Sequence, residues 1–277
     1  MNALYDLPAP AKLNLFLHVV GRRSDGYHLL ESVFVPIDWC DTLHVERNPN
    51  GAIRRHDLGP ALPPDDLIVR AARALQQASG TRLGADIQVL KTIPAQAGLG
   101  GGSSDAATTL LALNRLWSLG LTRAQLMTIG VQLGADVPFF LGGQPAWVSG
   151  IGDALRPLEL AATGFMVIKP QRGLATAEIF SNPALKRDTD PAKLSSFEAN
   201  PYRFGCNDLE PVAKTLCSDV SAALGWLEQR GLVGRMTGSG SAVFAQSTQD
   251  VGLANLPKGW VGRFCKSLEV HPLMGWA

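Results

Sequence analysis

A short glycine-rich segment carries the residue types that hold phosphate groups. Between Pro94 and Ser104 the chain reads PAQAGLGGGSS, with four glycines within five positions and two serines behind them. Glycine has no Cβ atom, so the backbone N–H groups of such a loop can approach an anion closely. A helix that begins behind the loop adds unpaired N–H groups and a partial positive charge. The segment is therefore predicted to hold a di- or triphosphate.

The elements on either side of this loop favour the same interpretation. Residues 85–89 alternate between apolar and polar side chains, which is typical of a half-buried strand. Apolar residues then recur at helical spacing from 106 to 117, so a helix is expected to begin near Ser103 or Ser104. Both serines could cap that helix or donate hydroxyls to phosphate or metal. The alternative is a flexible surface loop.

The loop matches neither of the two common phosphate-binding motifs. A Walker loop ends in Gly-Lys-Ser or Gly-Lys-Thr, and no lysine lies between Lys91 and the predicted helix. The dinucleotide fingerprint needs a third glycine at the position that Ser103 occupies, counting from Gly98 and Gly100. If the loop holds phosphate, it therefore does so by another arrangement.

An alternating segment near the start of the chain provides a cation. From 11 to 20, leucines and Val19 occupy one face of a predicted strand, and Lys12, Asn14, Phe16 and His18 occupy the other. This register buries the leucines and sends Lys12 and Asn14 together to the opposite side. Most strand lysines lie on a solvated face, which is the alternative here.

A single carboxylate stands among apolar residues in the segment GADVPFFLGG. A capping box at Thr122 predicts a helix to about Leu133, and Gly134 ends it. Pro138 suits the first turn of a second, short helix. Asp136 lies between the two helices, where it either caps the second one or is an acid held in a cleft.

Two further turns contain residues that could contact a ligand. Tyr27 and His28 follow a predicted turn at Asp25-Gly26, where they could recognise a ring, although a core tyrosine and a surface histidine are equally consistent. Residues 235–244 form a second glycine-rich turn that continues into a strand, and a plain hairpin turn is the alternative.

Length and composition exclude several classes of protein. The chain has 277 residues and a net charge of +1, so bulk charge gives no support for binding nucleic acid or a membrane surface. The four cysteines are scattered and form no Cys-x-x-Cys pair, which argues against a zinc site. The first residues lack a signal peptide, no apolar run is long enough to span a bilayer, and a cytoplasmic location is expected.

The periodicity predicts an α+β chain in two halves. Short strands are expected at 32–37 and 42–46, a loop or hairpin region at 48–65, and a helix at 66–79. We place the boundary near 155–164, with an N-terminal domain at 1–155 and a C-terminal domain at 156–277. In the C-terminal half the sequence predicts a buried strand at 165–169, a short helix at 175–180, an irregular stretch at 181–205 and one long amphipathic helix at 210–229.

Three of these segments together resemble signatures of the galactokinase, homoserine kinase, mevalonate kinase and phosphomevalonate kinase (GHMP) superfamily. They are PAKLNL at 10–15, GLGGGSS at 98–104 and TGSGS at 237–241. Over nearly its full length the chain is most similar to the branch that phosphorylates 4-diphosphocytidyl-2-C-methyl-D-erythritol on its 2-hydroxyl. That similarity rests on the residues at 9–17, 23–28, 66–72 and 133–138.

The resemblance implies a fold and a set of site residues. It implies a ribosomal-protein-S5-domain-2-like N-terminal half, a ferredoxin-like C-terminal half and an active site in the cleft between them. It implies ATP and Mg²⁺ as cofactors and a cytidyl-diphosphate polyol as substrate, with metal ligands and oligomeric state left open. The implied catalytic pair is Lys12 and Asp136; Tyr27, His28 and Phe180 surround the cytosine ring, and Asn14 lies near the polyol.

The resemblance also implies which residues hold the ATP phosphates. They are Pro94, Ala95, Gln96, Ala97, Gly98, Leu99, Gly100, Gly101, Gly102, Ser103 and Ser104. The chain departs from the family pattern at Gln96-Ala97, where glycines are usual, and at Asp66, where an asparagine is usual near the adenine. Two alternatives stay open: a sister kinase acting on homoserine, mevalonate or another small alcohol, and a sensor on the same scaffold that binds ligand without catalysis.

Overall fold

Two β-sheets with helices packed against them make up the protein. The computed structural model describes residues 1–277. The first sheet has six strands and comes from the N-terminal half; the second has four and comes from the C-terminal half. Helices and strands are mixed in both halves, so the predicted α+β class is confirmed.

The strands differ widely in length, from 20 and 21 residues in the first two to 2 residues in the shortest. In chain order they are β1 Ala3–Arg22, β2 His28–Asn48, β3 Ile53–Asp57, β4 Gly84–Leu90, β5 Ala146–Ser149, β6 Ala154–Pro157, β7 Gly164–Lys169, β8 Arg235–Met236, β9 Val243–Ser247 and β10 Val261–Lys266. Because β6 continues to Pro157, the first sheet extends two residues beyond the N-terminal domain limit set from the sequence.

The helices are mostly short. In chain order they are α1 Leu67–Ser79, α2 Gly101–Leu116, α3 Arg123–Leu133, α4 Val137–Gly142, α5 Thr176–Ser181, α6 Leu194–Ala199, α7 Glu210–Leu216 and α8 Ser218–Glu228, followed by a 3₁₀ turn at Met274–Trp276. None of them combines the length and the hydropathy that crossing a bilayer requires. The capping box at Thr122 is present at the start of α3, as predicted.

A long antiparallel hairpin, β1 with β2, organises the first sheet. The strand order is β3-β4-β2-β5-β6, and β1 pairs with β2 away from this path. The two short strands expected at 32–37 and 42–46 are parts of the single strand β2, because Cys40 and Asp41 between them still pair with β1. The region 48–65, expected as a loop or hairpin, contains β3, which pairs in parallel with β4.

The second sheet has the strand order β10-β7-β9-β8, and all its neighbours are antiparallel. Counted within this half the order is 4-1-3-2, the ferredoxin-like arrangement expected from the resemblance, although no helix lies between β9 and β10. The long helix predicted at 210–229 is wrong: Cys217 has extended backbone angles, φ −145° and ψ 100°, and divides it into α7 and α8. The stretch 181–205, expected to be irregular, contains α6.

Three apolar clusters form the core, and one of them joins the halves. The first packs α1 to α4 against the first sheet, and the second packs α7 and α8 against the second. The third contains Phe16 and Val35 from the β1–β2 hairpin together with Phe165 and Phe244 from the second sheet. Leu13 and Leu15 of β1 pack into this cluster, as predicted. Lys12 and Asn14 on the other side of the strand are buried as well, so the alternative of a solvated strand face is wrong.

A buried charge cluster fixes the chain where it leaves β4 and enters the glycine loop. The Lys91 ammonium contacts carboxylates of both Asp41 on β2 and Asp105 on α2. Asp41 also accepts hydrogen bonds from the backbone N–H groups of Thr92 and Ile93. Asp105 has fewer partners, since its second oxygen is buried without a hydrogen bond. Burial raises the pKa of Asp105 to about 7.

We expect the two aspartates to contribute unequally to stability. Asp41→Asn should lower the free energy of unfolding by about 3 kcal/mol, because it breaks a buried pair and weakens the bonds that fix Thr92 and Ile93. Asp105→Asn should cost less, because Asp41 still pairs with Lys91. Urea unfolding of the two variants, followed by circular dichroism, measures this difference.

The pH dependence separates the two positions further. The folded-state pKa of Asp105 lies above its ordinary value of 3.8, so wild-type stability from this group falls as the pH rises towards 7. Asn does not titrate, and the cost of Asp105→Asn should therefore be smaller at pH 8 than at pH 5. Equal costs for both variants at pH 8 would contradict this assignment.

Candidate functional site

A single large cleft between the two halves collects almost all of the residues singled out in the sequence. Its volume is about 1280 Å³. Lys12, Asn14 and Asp136 line it, and so do the aromatic residues near 27 and 180 and the loop from Pro94 to Ser103. Ser104 is the exception: it is completely buried, and its hydroxyl has no hydrogen-bond partner.

The glycine loop and the start of α2 form a concave row of backbone N–H groups. The helix begins at Gly101, earlier than expected, after Gly100 at φ 71°, a left-handed conformation that favours glycine. Its first internal hydrogen bond runs from Ser104 N to Gly100 O, 3.0 Å. The N–H groups of residues 101–103 precede this bond, and no side chain caps them, so neither Ser103 nor Ser104 is the predicted cap. This arrangement fits a phosphate group.

The loop is held from two sides by backbone hydrogen bonds. From the N-terminal half, Lys12 N donates to Leu99 O at 2.9 Å. From the C-terminal half, the N–H groups of residues 241 and 242 donate to Gln96 O and Ala97 O, each at 3.2 Å. Gly98 lies against the turn at 237–240, where an added Cβ atom would be 2.2 Å from Thr237 O. The second glycine-rich turn is therefore part of the site.

Lys12 and Asp136, 124 positions apart in the chain, meet beside this loop. Lys12 Nζ lies 3.6 Å from Asp136 Oδ2; the lysine side chain is 5% exposed and the aspartate side chain 30%. The ammonium also donates to Asn14 Oδ1 and lies 4.2 Å from the centre of the Phe34 ring. Burial lowers the pKa of Lys12, and the nearby Asp136 carboxylate opposes that shift.

Local structure explains how the two side chains come together. The pairing of β1 with β2 shifts between Pro10 and Ala11, an irregularity that can redirect the side chains behind it. Asp136 is the residue before α4, and Pro138 stands in the first turn as predicted. The carboxylate makes no capping hydrogen bond to α4. Of the two roles considered for Asp136, the structure shows the acid in the cleft.

An aromatic group forms the other end of the cleft. The His28 ring lies 5.1 Å from the Phe180 ring, centre to centre, at an angle of 36°. Tyr27 is 61% exposed and lines the cleft next to them. The structure therefore places the three residues expected around a base along the same part of the cleft, where their rings could pack against a planar ligand.

Asn14 connects Lys12 with residues of both halves of the chain. Its side-chain amide donates to Ser32 Oγ at 3.0 Å, and its backbone N–H donates to Thr237 Oγ1 at 2.9 Å. With Oδ1 accepting from Lys12, the amide group is fixed in orientation. Asn14 therefore lies where a substrate between the aromatic end and the phosphate loop would pass.

The two departures from the family pattern have structural explanations. Gln96 adopts φ 51°, a left-handed conformation that glycine accepts more readily than glutamine, which accounts for the usual glycine there. Asp66 caps α1 by accepting from Val69 N, and its carboxylate lies 2.7 Å from Arg55 Nη1. The acid is thus paired and does not present a free negative charge to the cleft.

The sequence did not single out several residues of the site. Lys91, Asp41 and Asp105 could have been suspected from a lysine just before the loop and an aspartate just inside α2. Thr176 left no recognisable pattern, although its hydroxyl lies 2.7 Å from that of Ser239 in the second glycine-rich turn. No group of three or more His, Cys, Asp or Glu side chains is close enough together to hold a metal ion.

Comparisons with known proteins agree with this geometry. The description of the N-terminal domain of GHMP kinases matches residues 66–144, and that of their C-terminal domain matches residues 183–251. The chain is 62% identical to the 4-diphosphocytidyl-2-C-methyl-D-erythritol kinase of Paracidovorax citrulli (strain AAC00-1), over all of this chain and 99% of that protein. It is also 62% identical to the kinase of the same name from Albidiferax ferrireducens, over all of this chain and 96% of that protein.

Solved structures place the fold in the same group. A crystal structure of a 4-(cytidine 5'-diphospho)-2C-methyl-D-erythritol kinase is similar with a TM-score of 0.77 and 34% identity, over 93% of this chain and 98% of that one. The mevalonate kinase of Methanococcus jannaschii shares the fold alone, with a TM-score of 0.71 and 15% identity over 96% and 98% of the two chains. Site geometry, sequence identity and fold agree, and the chain belongs to the GHMP kinases, within their 4-diphosphocytidyl-2-C-methyl-D-erythritol kinase family.

Proposed function

We propose that this chain transfers the γ-phosphoryl group of ATP to the 2-hydroxyl of 4-diphosphocytidyl-2-C-methyl-D-erythritol, a step in isoprenoid precursor synthesis. The observation that carries the proposal is the 3.6 Å approach of Lys12 to Asp136, at the junction between a phosphate cradle and an aromatic pocket. The names of relatives at 57–62% identity over the whole chain support the choice of substrate.

The cleft has a suitable group for each part of such a substrate pair. The N–H groups at the start of α2 face the ATP phosphates, and Tyr27, His28 and Phe180 surround the cytosine ring. The polyol then lies beside Asn14, between the two ends. This order brings the acceptor hydroxyl next to Lys12 and Asp136, which is the alignment that in-line phosphoryl transfer requires.

Lys12 supplies the positive charge at the point of transfer. Its ammonium is buried, so its field acts on the transferring group with little screening by water. It stabilises negative charge on the acceptor oxygen and on the phosphoryl oxygens as the bond forms. The neighbouring Asp136 carboxylate orients the hydroxyl and accepts its proton as the hydroxyl becomes more acidic next to Lys12.

ATP is the implied phosphoryl donor, and Mg²⁺ is expected to accompany it. Mg²⁺ usually takes most of its oxygen ligands from water and phosphate and only one or two from protein carboxylates. The scarcity of clustered acidic ligands in this chain fits that pattern. The Ser103 hydroxyl lines the cleft at the start of α2 and would be one protein oxygen available to such a shell. When bound, the ion offsets the charge of the phosphates.

We further propose that the kinase acts in the cytoplasm, on small molecules and without a nucleic-acid or membrane partner. The near-neutral net charge of +1 and the pathway of its relatives support this setting. The proposed domains, 1–155 and 156–277, would contribute the ATP side and part of the substrate side of the cleft, respectively.

A coupled assay of ADP release tests the proposed substrate. Purified enzyme with ATP and Mg²⁺ is offered the cytidyl-diphosphate polyol, homoserine and mevalonate in parallel, with Asp136→Asn as the control for contaminating kinases. Turnover with the cytidyl substrate alone supports the proposal. Preferred turnover of another alcohol would identify a sister kinase, and ligand binding with no ADP release would indicate a sensor.

Removing either member of the catalytic pair should abolish most of the activity. We expect Lys12→Ala and Asp136→Ala each to lower kcat by about a hundredfold or more, because each removes charge stabilisation or proton acceptance from the transition state. Asp153→Ala is the matched control, since this exposed carboxylate lies outside the cleft. Near-normal kcat in either cleft variant would remove that residue from the mechanism.

Loss of the exposed aromatic ring should weaken substrate binding. Tyr27→Ala is expected to raise the KM for the cytidyl substrate about tenfold or more, because stacking of a base on an aromatic side chain contributes roughly 1–3 kcal/mol. Tyr5→Ala is the control, because Tyr5 is similarly exposed, at 57%, and does not line the cleft. An unchanged KM in the Tyr27 variant would place the base elsewhere.

The rate should fall at alkaline pH when Lys12 loses its proton. Burial lowers the pKa of Lys12 below its ordinary value of 10.5, so the protonated form is lost earlier than in an exposed lysine. We expect the alkaline limb of the kcat profile to lie below pH 10.5. Lys91, whose pKa is raised by Asp105 and Asp41 despite its burial, would titrate above that value. A limb above pH 10.5 would therefore argue against Lys12.

A further inference from the structure

Arg187 lies behind the aromatic end of the cleft and is bonded to it by several hydrogen bonds. Its Nε donates to His28 Nε2 at 3.0 Å. Its terminal nitrogens donate to the carbonyl oxygens of Phe180, Asn182 and Leu185, at 3.1, 2.8 and 2.9 Å. Four of the five guanidinium N–H groups are therefore used within the chain.

These hydrogen bonds determine which nitrogen of His28 carries the proton. A guanidinium group only donates, so His28 Nε2 must accept and cannot hold a proton. A neutral imidazole has one donor and one acceptor nitrogen, which leaves Nδ1 as the donor. Burial lowers the pKa of His28, and the positive charges of Arg187 and Arg22 lower it further, so the ring stays neutral.

The remaining donor of His28 is available to a ligand. His28 Nδ1 makes no hydrogen bond within the chain, and it is not among the polar atoms that are sealed from solvent without a partner. The residue itself lines the cleft beside Phe180 and Tyr27. A ring stacked in this aromatic pocket would have its polar edge near one N–H donor whose identity Arg187 has fixed.

We propose that Arg187 is a positioning residue for base specificity: it holds His28 as the Nδ1–H tautomer, which accepts cytosine and disfavours uracil. The ring nitrogen N3 of cytosine is a hydrogen-bond acceptor and pairs with an N–H donor, whereas N3 of uracil carries a hydrogen and would face a second donor. Two opposed donors leave buried polar groups unpaired, and a site rejects a ligand on that ground. The inference rests on the proposed function for the choice of a cytidyl ligand.

The protonation state can be tested without any catalysis. In the ligand-free wild-type protein, long-range ¹H–¹⁵N correlation spectra at neutral pH should show the Nδ1–H tautomer of His28, identified by the signal missing in His28→Gln. Arg187→Met should give a mixture with the Nε2–H form, and Arg187→Lys, which can still donate one hydrogen bond, should restore part of the wild-type pattern. Lys186→Met is the control, because this exposed neighbour makes no contact with His28 and should leave the spectrum unchanged.

Specificity is then measured as binding, with CDP and UDP as the probes. Wild-type protein should bind CDP more tightly than UDP, and the ratio should fall by about tenfold or more in Arg187→Met, while Lys186→Met keeps it. The apparent KM for ATP should not change, which separates this effect from general loss of the site. Thermal unfolding checks that Arg187→Met is folded before the ratio of CDP to UDP affinity is measured. If the loop from 180 to 187 fails to form in that variant, the ratio is measured in Arg187→Lys instead.

The outcomes distinguish this inference from the proposed function. A wild-type His28 in the Nε2–H form, an unchanged tautomer in Arg187→Met, or an unchanged CDP-to-UDP ratio would each overturn the role of Arg187. A protein that shows the expected tautomer and CDP preference but phosphorylates no cytidyl substrate would overturn the proposed reaction and leave the role of Arg187 standing.

Discussion

The contact between the glycine loop and the turn at 237–240 is the constraint on which the site depends. An added Cβ atom at Gly98 would be 2.2 Å from Thr237 O, and one at Gly238 would be 2.9 Å from Gly98 O, so the two backbones approach as closely as glycine allows. Hydrogen bonds to Gln96 and Ala97 continue this contact. Lys12 of the N-terminal half also donates a backbone hydrogen bond to the loop, at Leu99 O, so both halves hold it. The phosphate cradle is therefore a product of the whole fold.

The surroundings of Lys12 determine its state. The lysine side chain is 5% exposed; its stem lies beside Gly100 of the loop, and its ammonium lies 4.2 Å from the centre of the Phe34 ring. An isolated charge in that position would be costly, and Asp136 and Asn14 offset part of the cost. Because Asp136 remains partly exposed to the cleft, the pair is buried on one side and open on the other. A ligand can thus reach a charge that solvent screens poorly.

The sequence predicted the local parts of this site and not their assembly. The loop, the strand with Lys12 and the turn with Asp136 each follow from short patterns, because glycine spacing, alternation and capping act over a few residues. The alternation in β1 could not show that the side with Lys12 is buried as well, because that burial comes from Phe34 and Gly100, which are distant from Lys12 in the chain. The helix breaks at Cys217, although the helical spacing of apolar residues in the sequence continues past that position. Arg187 lies in an irregular stretch, and nothing in its neighbours indicates a contact with His28, 159 positions away.

The distribution of charge in the cleft suits the proposed phosphoryl transfer. At the phosphate end the donors are backbone N–H groups, and the positive charge of Lys91 is already compensated by Asp41 and Asp105. Lys12 lies beside the proposed point of transfer, and the Asp136 carboxylate stands 3.6 Å from its ammonium. Under the proposed function, the dipoles would bind the nucleotide phosphates without a large excess of charge, whereas Lys12 would act where negative charge increases during transfer. Stabilisation would thereby be concentrated on the transition state, which accelerates a reaction more than equally tight binding of the substrates does.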